Sequence, residues 1–342
     1  MLAFFALSAL LATTTALSCA DLGLISGGNP KTTTVQSYSG TSPQTSSITW
    51  SASSTTDSSL TSTVTCAEGT GDNSDKLVIT STGVPAHRVG DFPMRFDTTG
   101  NGHNDNPNTI AEQSFSWTLP KNPQIKSRFP ESILENSNAL PLGPIGFALN
   151  GVPLFNPFNS GKEDAVSRDS SGYEVMDLCH GHPDMHGRYH YHYQEQTDGC
   201  LFGSMNAQIV AEAGKRSPKI GYAFDGIAIY GPLGKDGVAP TDLDKCNGRM
   251  DTDLGQYVYH TTDGKAPYII GCYRYRATRS GPPPVVVQTQ APTQAPTQPP
   301  TDSLGATGGD TEKITERSTS QAVVAMPALI TTVLALAFRL LA

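Results

Sequence analysis

The chain has 342 residues, of which 16% are charged, and a formal net charge of −8 at pH 7. That balance excludes nucleic acid as a partner, because phosphate binding needs a cationic face. Sustained 3.6-residue apolar periodicity is nearly absent outside 205–213, and 33 Gly and 25 Pro punctuate the rest, so the body reads as mainly β.

In chain order, Leu2 to Leu11 is an apolar run followed by small residues up to Ser18. This is the pattern of a secretory signal over residues 1–18. Cleavage after Ser18 keeps Cys19 and cleavage after Ala20 discards it; an even cysteine count favours keeping it. Thr41 to Thr65 is rich in Ser and Thr. It is either a mucin-like arm or a set of solvated strands around Ile48, Trp50, Leu60 and Val64, and is assigned to the domain. Beyond it, β-favouring runs predict strands at 76–79, 114–119, 145–149, 189–193, 220–224, 227–230 and 257–261. The fold expected is a disulfide-stabilised β-sandwich or barrel-like domain over residues 21–281, with long loops and at most short helices.

Five of the eight histidines fall within residues 180–192. Tyr189-His190-Tyr191-His192 read as a strand puts both histidines on one face, about 6.6 Å apart at Cα, so one ion can take both rings. The tyrosines then face the other way. His182, between Gly181 and Pro183, sits in a turn that can reach over the strand, and His87 in an upstream Pro-containing turn is a candidate fourth ligand. Three imidazoles with an open position would suit zinc or copper. The competing reading is structural, with imidazoles bonding buried backbone. Met185 and His186 read as exposed turn residues. Asp225, Glu174 and Asp177 are candidates to orient a ligating histidine, and Asp225 is also a weak candidate general base. Asp225-Gly226 is first of all a hairpin turn signal. No G-x-S-x-G elbow, dinucleotide loop or phosphate loop occurs. The Asn/Asp-rich stretch at His103 lacks the spacing and closing Glu of an EF-hand loop.

The histidine segment has an echo. Cys179-His180-Gly181-His182, Tyr189-His190-Tyr191-His192 and Cys200 correspond to Cys246-Asn247-Gly248-Arg249, Tyr257-Val258-Tyr259-His260 and Cys272. If each copy closes its own loop, Cys179 pairs with Cys200 and Cys246 with Cys272, leaving Cys19 for Cys66. Six cysteines permit 15 connectivities, and the choice rests on the echo alone.

After the domain comes a Pro/Thr-rich stalk and spacer, residues 282–320, containing a Gln-Ala-Pro-Thr repeat suited to O-glycosylation. No Asn-x-Ser/Thr acceptor occurs in the chain. Residues 321–342 form an apolar tail behind a polar spacer and small residues, the order of a GPI-anchor signal. A single membrane-spanning helix is the alternative by length, but no basic stop-transfer segment follows it. The expectation is a body tethered to the outer face of the plasma membrane by a lipid.

These residues resemble the YHYH-domain family of secreted and surface proteins. Besides Tyr189 to His192, the similar parts are Gly83-Val84-Pro85-Ala86-His87, Asn106-Pro107-Asn108, Asn150-Gly151-Val152-Pro153, Asp164-Ala165, Gly221-Tyr222-Ala223-Phe224-Asp225-Gly226, Ile229-Tyr230-Gly231-Pro232 and Cys246-Asn247-Gly248, which together span about residues 80 to 276. The resemblance implies metal binding by the histidines but no defined activity. The family typically carries Asn where this chain has His180, so that residue is not implied as a shared ligand. It tends to show histidine where Arg249 and Val258 stand, which weakens any second site.

Overall fold

The computed structural model describes residues 16–26, 36–39, 47–50, 60–95, 105–167, 169–194, 200–203 and 207–278. Most of the signal segment, His103, the stalk and the apolar tail lie outside them. No helix among the described residues is long and apolar enough to cross a membrane.

The only helices among the described residues are a four-residue α-turn, Cys19–Leu22, and a 3-10 turn, Gly71–Asn73. The strands are β1 (Gln36–Ser39), β2 (Ser47–Trp50), β3 (Val64–Glu68), β4 (Lys76–Ser81), β5 (Met94–Arg95), β6 (Asp105–Asn106), β7 (Phe115–Pro120), β8 (Pro144–Ala148) and β9 (Pro153–Phe155). They continue as β10 (Gly181–Pro183), β11 (Tyr189–Tyr191), β12 (Phe202–Gly203), β13 (Ile209–Val210), β14 (Lys219–Ala223), β15 (Ala228–Tyr230), β16 (Gly248–Asp251) and β17 (Gln256–His260). Each strand expected from sequence is present within two residues of its expected ends. The periodic stretch 205–213 carries β13, paired in parallel with β12.

Two sheets carry the core. The three-stranded sheet, in the order β3-β4-β7, alternates strictly: Phe115, Trp117 and Leu119 of β7 are buried while Ser116 is exposed. That is the period of a half-buried strand. Its inner face meets an eight-stranded sheet, in the order β10-β11-β9-β8-β14-β15-β17-β16, with Trp117 stacked between Phe115 and Phe147 at 4.7 and 5.5 Å. The arrangement is therefore a sandwich. It is not a closed barrel, because among the described residues β10 and β16 each pair with one strand and form the edges of the sheet.

The large sheet is built twice. Strands β8 and β9 pair antiparallel, β9 runs parallel to β11, and β11 pairs with β10; strands β14, β15, β17 and β16 repeat the pattern, and the halves join where β8 meets β14. Ile145-Gly146 and Asn150-Gly151 in the first half match Ile220-Gly221 and Asp225-Gly226 in the second. The correspondence reaches single bonds. Asn150 and Asp225 each accept the amide two residues on at 3.3 Å. Asp177 and Asp244 each accept the amides of Cys179 and Cys246 at 2.8 Å, and of Gly181 and Gly248 at 3.2 Å. Gly146 and Gly221 mark the join: a Cβ at either would lie 2.4 or 2.3 Å from a carbonyl of the other half.

Of three disulfides, Cys19–Cys66 ties the N-terminal turn to β3, while Cys179–Cys200 and Cys246–Cys272 close the loops around the two hairpins, and no cysteine is free. In small secreted domains such links limit the unfolded chain more than they add contacts.

Candidate metal centre

The site is assembled on the β10–β11 hairpin. Asp184 turns it, its carboxylate accepting the amides of His186 at 2.8 Å and Arg188 at 3.1 Å while pairing with the Arg188 side chain. Below the hairpin, fully buried Asp177 accepts from the Gly90 and Cys179 amides and from the Tyr189 hydroxyl, at 2.8, 2.8 and 2.9 Å. Gly181 has no alternative, since a Cβ there would lie 2.5 Å from the Tyr189 ring. Register places His182 opposite His190. The strand ends at Tyr191, but the alternation carries through His192: tyrosines 189 and 191 pack on one side and the histidines converge on the other.

There three imidazoles and one carboxylate meet. His182, His190, His192 and Glu174 offer ligand atoms that all lie within 4.8 Å of one another. Glu174 Oε2 stands 3.3 Å from both His182 Nε2 and His192 Nε2. The tautomers follow from the outer nitrogens. His190 Nδ1 faces the Arg188 carbonyl at 2.9 Å and His192 Nδ1 faces the Asn156 carbonyl at 2.6 Å. A carbonyl can only accept, so both Nδ1 atoms carry the hydrogen and both Nε2 atoms present lone pairs. Those two atoms are 3.1 Å apart. Two lone pairs so close repel unless a cation or proton lies between them.

Burial argues against the proton. His190 is held well below the ordinary imidazole range by burial and then by neighbouring His182 and His192, and burial likewise lowers His182. Burial alone would raise the Glu174 carboxyl, but its two imidazole neighbours outweigh that and hold it well below the usual carboxylate range. Three imidazoles, those of His182 and His190 disfavoured as cations by burial, thus stand beside a carboxylate, the donor chemistry of zinc or copper. His182 Nε2 is also buried with no hydrogen-bond partner, its approach to Glu174 being poorly aligned for one. The residues fit a bound metal. One adjustment is needed: the Asn106 amide nitrogen lies 3.0 Å from His182 Nδ1. Ligation through Nε2 needs Nδ1 protonated, and rotating that amide would present its oxygen as the acceptor.

The sequence candidates divide. His182, His190 and His192 come together; His87 does not join them. It lies on the tyrosine side of β11, hydrogen-bonded to the Tyr191 hydroxyl and 3.6 Å from Cys179 Sγ. Burial pushes its imidazole down to about 4. Glu174, expected to orient a ligand, instead stands among them. Asp177 braces the hairpin through Tyr189, and its carboxylate bonds none of the clustered histidines. Asp225 is buried in the other half, accepting from the Tyr259 hydroxyl at 2.6 Å and the Tyr275 amide at 3.1 Å, and touches none of the clustered histidines. His180 turns away to pack on Tyr193, at positive φ, and His186 is exposed.

A family model described as YHYH protein matches residues 116–239. The chain carries a YHYH domain. The matched span holds Glu174 and all three clustered histidines, and stops before β16. Searches of the curated proteins and of the solved structures each returned no match.

Within the YHYH domain the cluster forms one wall of a cavity of about 990 Å³. Glu174 reaches it from the loop before Asp177, and Phe155 lies flat against His190, ring centroids 3.8 Å apart. Sequence reasoning passed over Asn106 and Asn156, which hold the outer nitrogens of His182 and His192. Asn106 belonged to a recognised motif, but nothing local told which ring it would face.

Proposed function

We propose that this is a non-catalytic extracellular metal-binding domain, holding one zinc or copper ion through His182, His190, His192 and Glu174. The observation that carries the reading is the facing pair of Nε2 lone pairs at His190 and His192. The second half supports it from another side. Its hairpin keeps the Asp, Cys, Gly and Tyr framework, with the Tyr257 hydroxyl bonded to Asp244 at 2.7 Å, yet carries Arg249 and Val258 where the first has His182 and His190. A hairpin of this build therefore folds without the histidines, which weighs against a purely structural role. Only His260 persists, its Nδ1 bonded to the Gly231 carbonyl at 2.8 Å as His192 is to Asn156.

The wider setting belongs to the same proposal: a signal over residues 1–18, the domain over 21–281, an O-glycosylated stalk over 282–320 and a GPI-signal tail over 321–342 place the ion at the outer face of the plasma membrane. The YHYH domain and the three disulfides support an oxidising, extracellular setting.

Elemental analysis of the purified chain after metal-replete expression tests the reading. One metal per chain is expected, lost in a His190→Ala/His192→Ala variant that retains its fold. A folded wild type free of metal would overturn it. The cavity favours a second reading, a metal-dependent hydrolase or oxidase, because it gives a substrate access to the cluster. In that case Asp225 is not the base: it does not line the cavity.

A further inference from the structure

We propose that the cavity takes a largely apolar small molecule that presents one metal-ligating nitrogen or oxygen to the histidine cluster; this rests on the metal reading above. Its volume, about 990 Å³, suits a drug-sized molecule. Phe155, stacked on His190, joins the ligand cluster directly to an apolar surface that continues through Phe158, Tyr273 and Phe224.

Several polar side chains of that wall are already bonded within the protein. Asn108 donates to the Pro183 carbonyl at 3.2 Å, and Asn159 donates to the Gly172 carbonyl at 3.1 Å. Arg188 is held by Asp184, Nε to Oδ2 at 2.6 Å. That leaves fewer free donors and acceptors than the ring of hydroxyls on a sugar needs. Uncovered apolar side chains line it as well: Leu142 is 49% and Met185 81% exposed. An apolar guest would cover them, gaining about 25 cal/mol per Å² removed from water.

The test loads the full chain with Co²⁺ and follows its visible absorption during titration with imidazole and with 4-phenylimidazole, which share a ligating nitrogen and differ by an apolar ring. The phenyl compound should perturb the spectrum at roughly tenfold lower concentration. In Leu142→Ser/Met185→Ser that advantage should fall below about threefold while cobalt stoichiometry is unchanged. Equal affinities in the wild type would overturn this inference and leave the metal reading standing. Failure to take up cobalt at all would overturn the metal reading and this inference with it.

Discussion

Two second nitrogens decide the chemistry of the site at the scale of single residues. His190 and His192 are set as Nδ1–H donors by backbone carbonyls, which no side-chain substitution removes, whereas His182 depends on the Asn106 amide. Asn106→Ala should therefore weaken metal affinity by about 10- to 100-fold, measured by competition with a chromophoric chelator. His87, on the opposite side of the strand, reports through pH instead. Its imidazole titrates at about 4 in the fold against about 6.5 unfolded. The unfolded chain thus binds the extra proton first, so stability is full above about pH 6.5 and falls as pH drops toward 4. Burial raises Asp177 and Asp225 to about 6, and these act with the opposite sign, relieving strain as pH falls through 6. His87→Gln should flatten the acid limb of a melting-temperature profile between pH 6.5 and 4. An unchanged slope would place the acid sensitivity elsewhere.

Hairpins are the next scale, and here the molecule contains its own comparison. The β10–β11 and β16–β17 hairpins share the bond from a Tyr hydroxyl to an Asp carboxylate, the positive φ at His180 and Asn247, and a glycine pressed against a tyrosine ring. At Gly181 and Gly248 an added Cβ would meet the ring at 2.5 and 2.3 Å. Gly181→Ala and Gly248→Ala should each cost about 1–3 kcal/mol in chemical denaturation. Only Gly181→Ala should also reduce metal uptake, because only that hairpin carries the ligand set. Loss of uptake in Gly248→Ala would mean that the halves are coupled more tightly than their separate hairpins suggest.

For the whole molecule, metal and fold are linked by mass action. A site formed only in the native state stabilises it by RT ln(1 + [L]/Kd), about 2.7 kcal/mol at a hundredfold excess over Kd. Zinc or copper should raise the melting temperature of the chain, a chelator should reverse it, and His190→Ala/His192→Ala should show neither effect. Membrane attachment is tested separately, on expressing cells. Phosphatidylinositol-specific phospholipase C should release the domain into the medium if the tail is exchanged for a GPI anchor, and retention on the cells would favour a membrane-spanning helix.

Alternation and turn residues were legible in the amino-acid order because strand period and turn chemistry act over a few residues: Phe115 to Leu119, Ile145 to Ala148 and Tyr189 to Tyr191 announce strands, and the Cys, Gly and Tyr echo announced a repeated hairpin and its disulfides. The first part of that repeat, Ile145 to Gly151 against Ile220 to Gly226, was equally readable and was passed over. Which side chains meet was not readable, because it depends on where loops return. Glu174 joins the histidines and His87 leaves them because the chain before Asp177 carries Glu174 to the histidine side of β11 while the turn after Gly83 carries His87 to the tyrosine side. The sequence alone therefore determined the sheet-forming segments and the histidine stripe; only the tertiary structure decided the fourth member of the cluster, the tautomers, and the cavity that opens upon them.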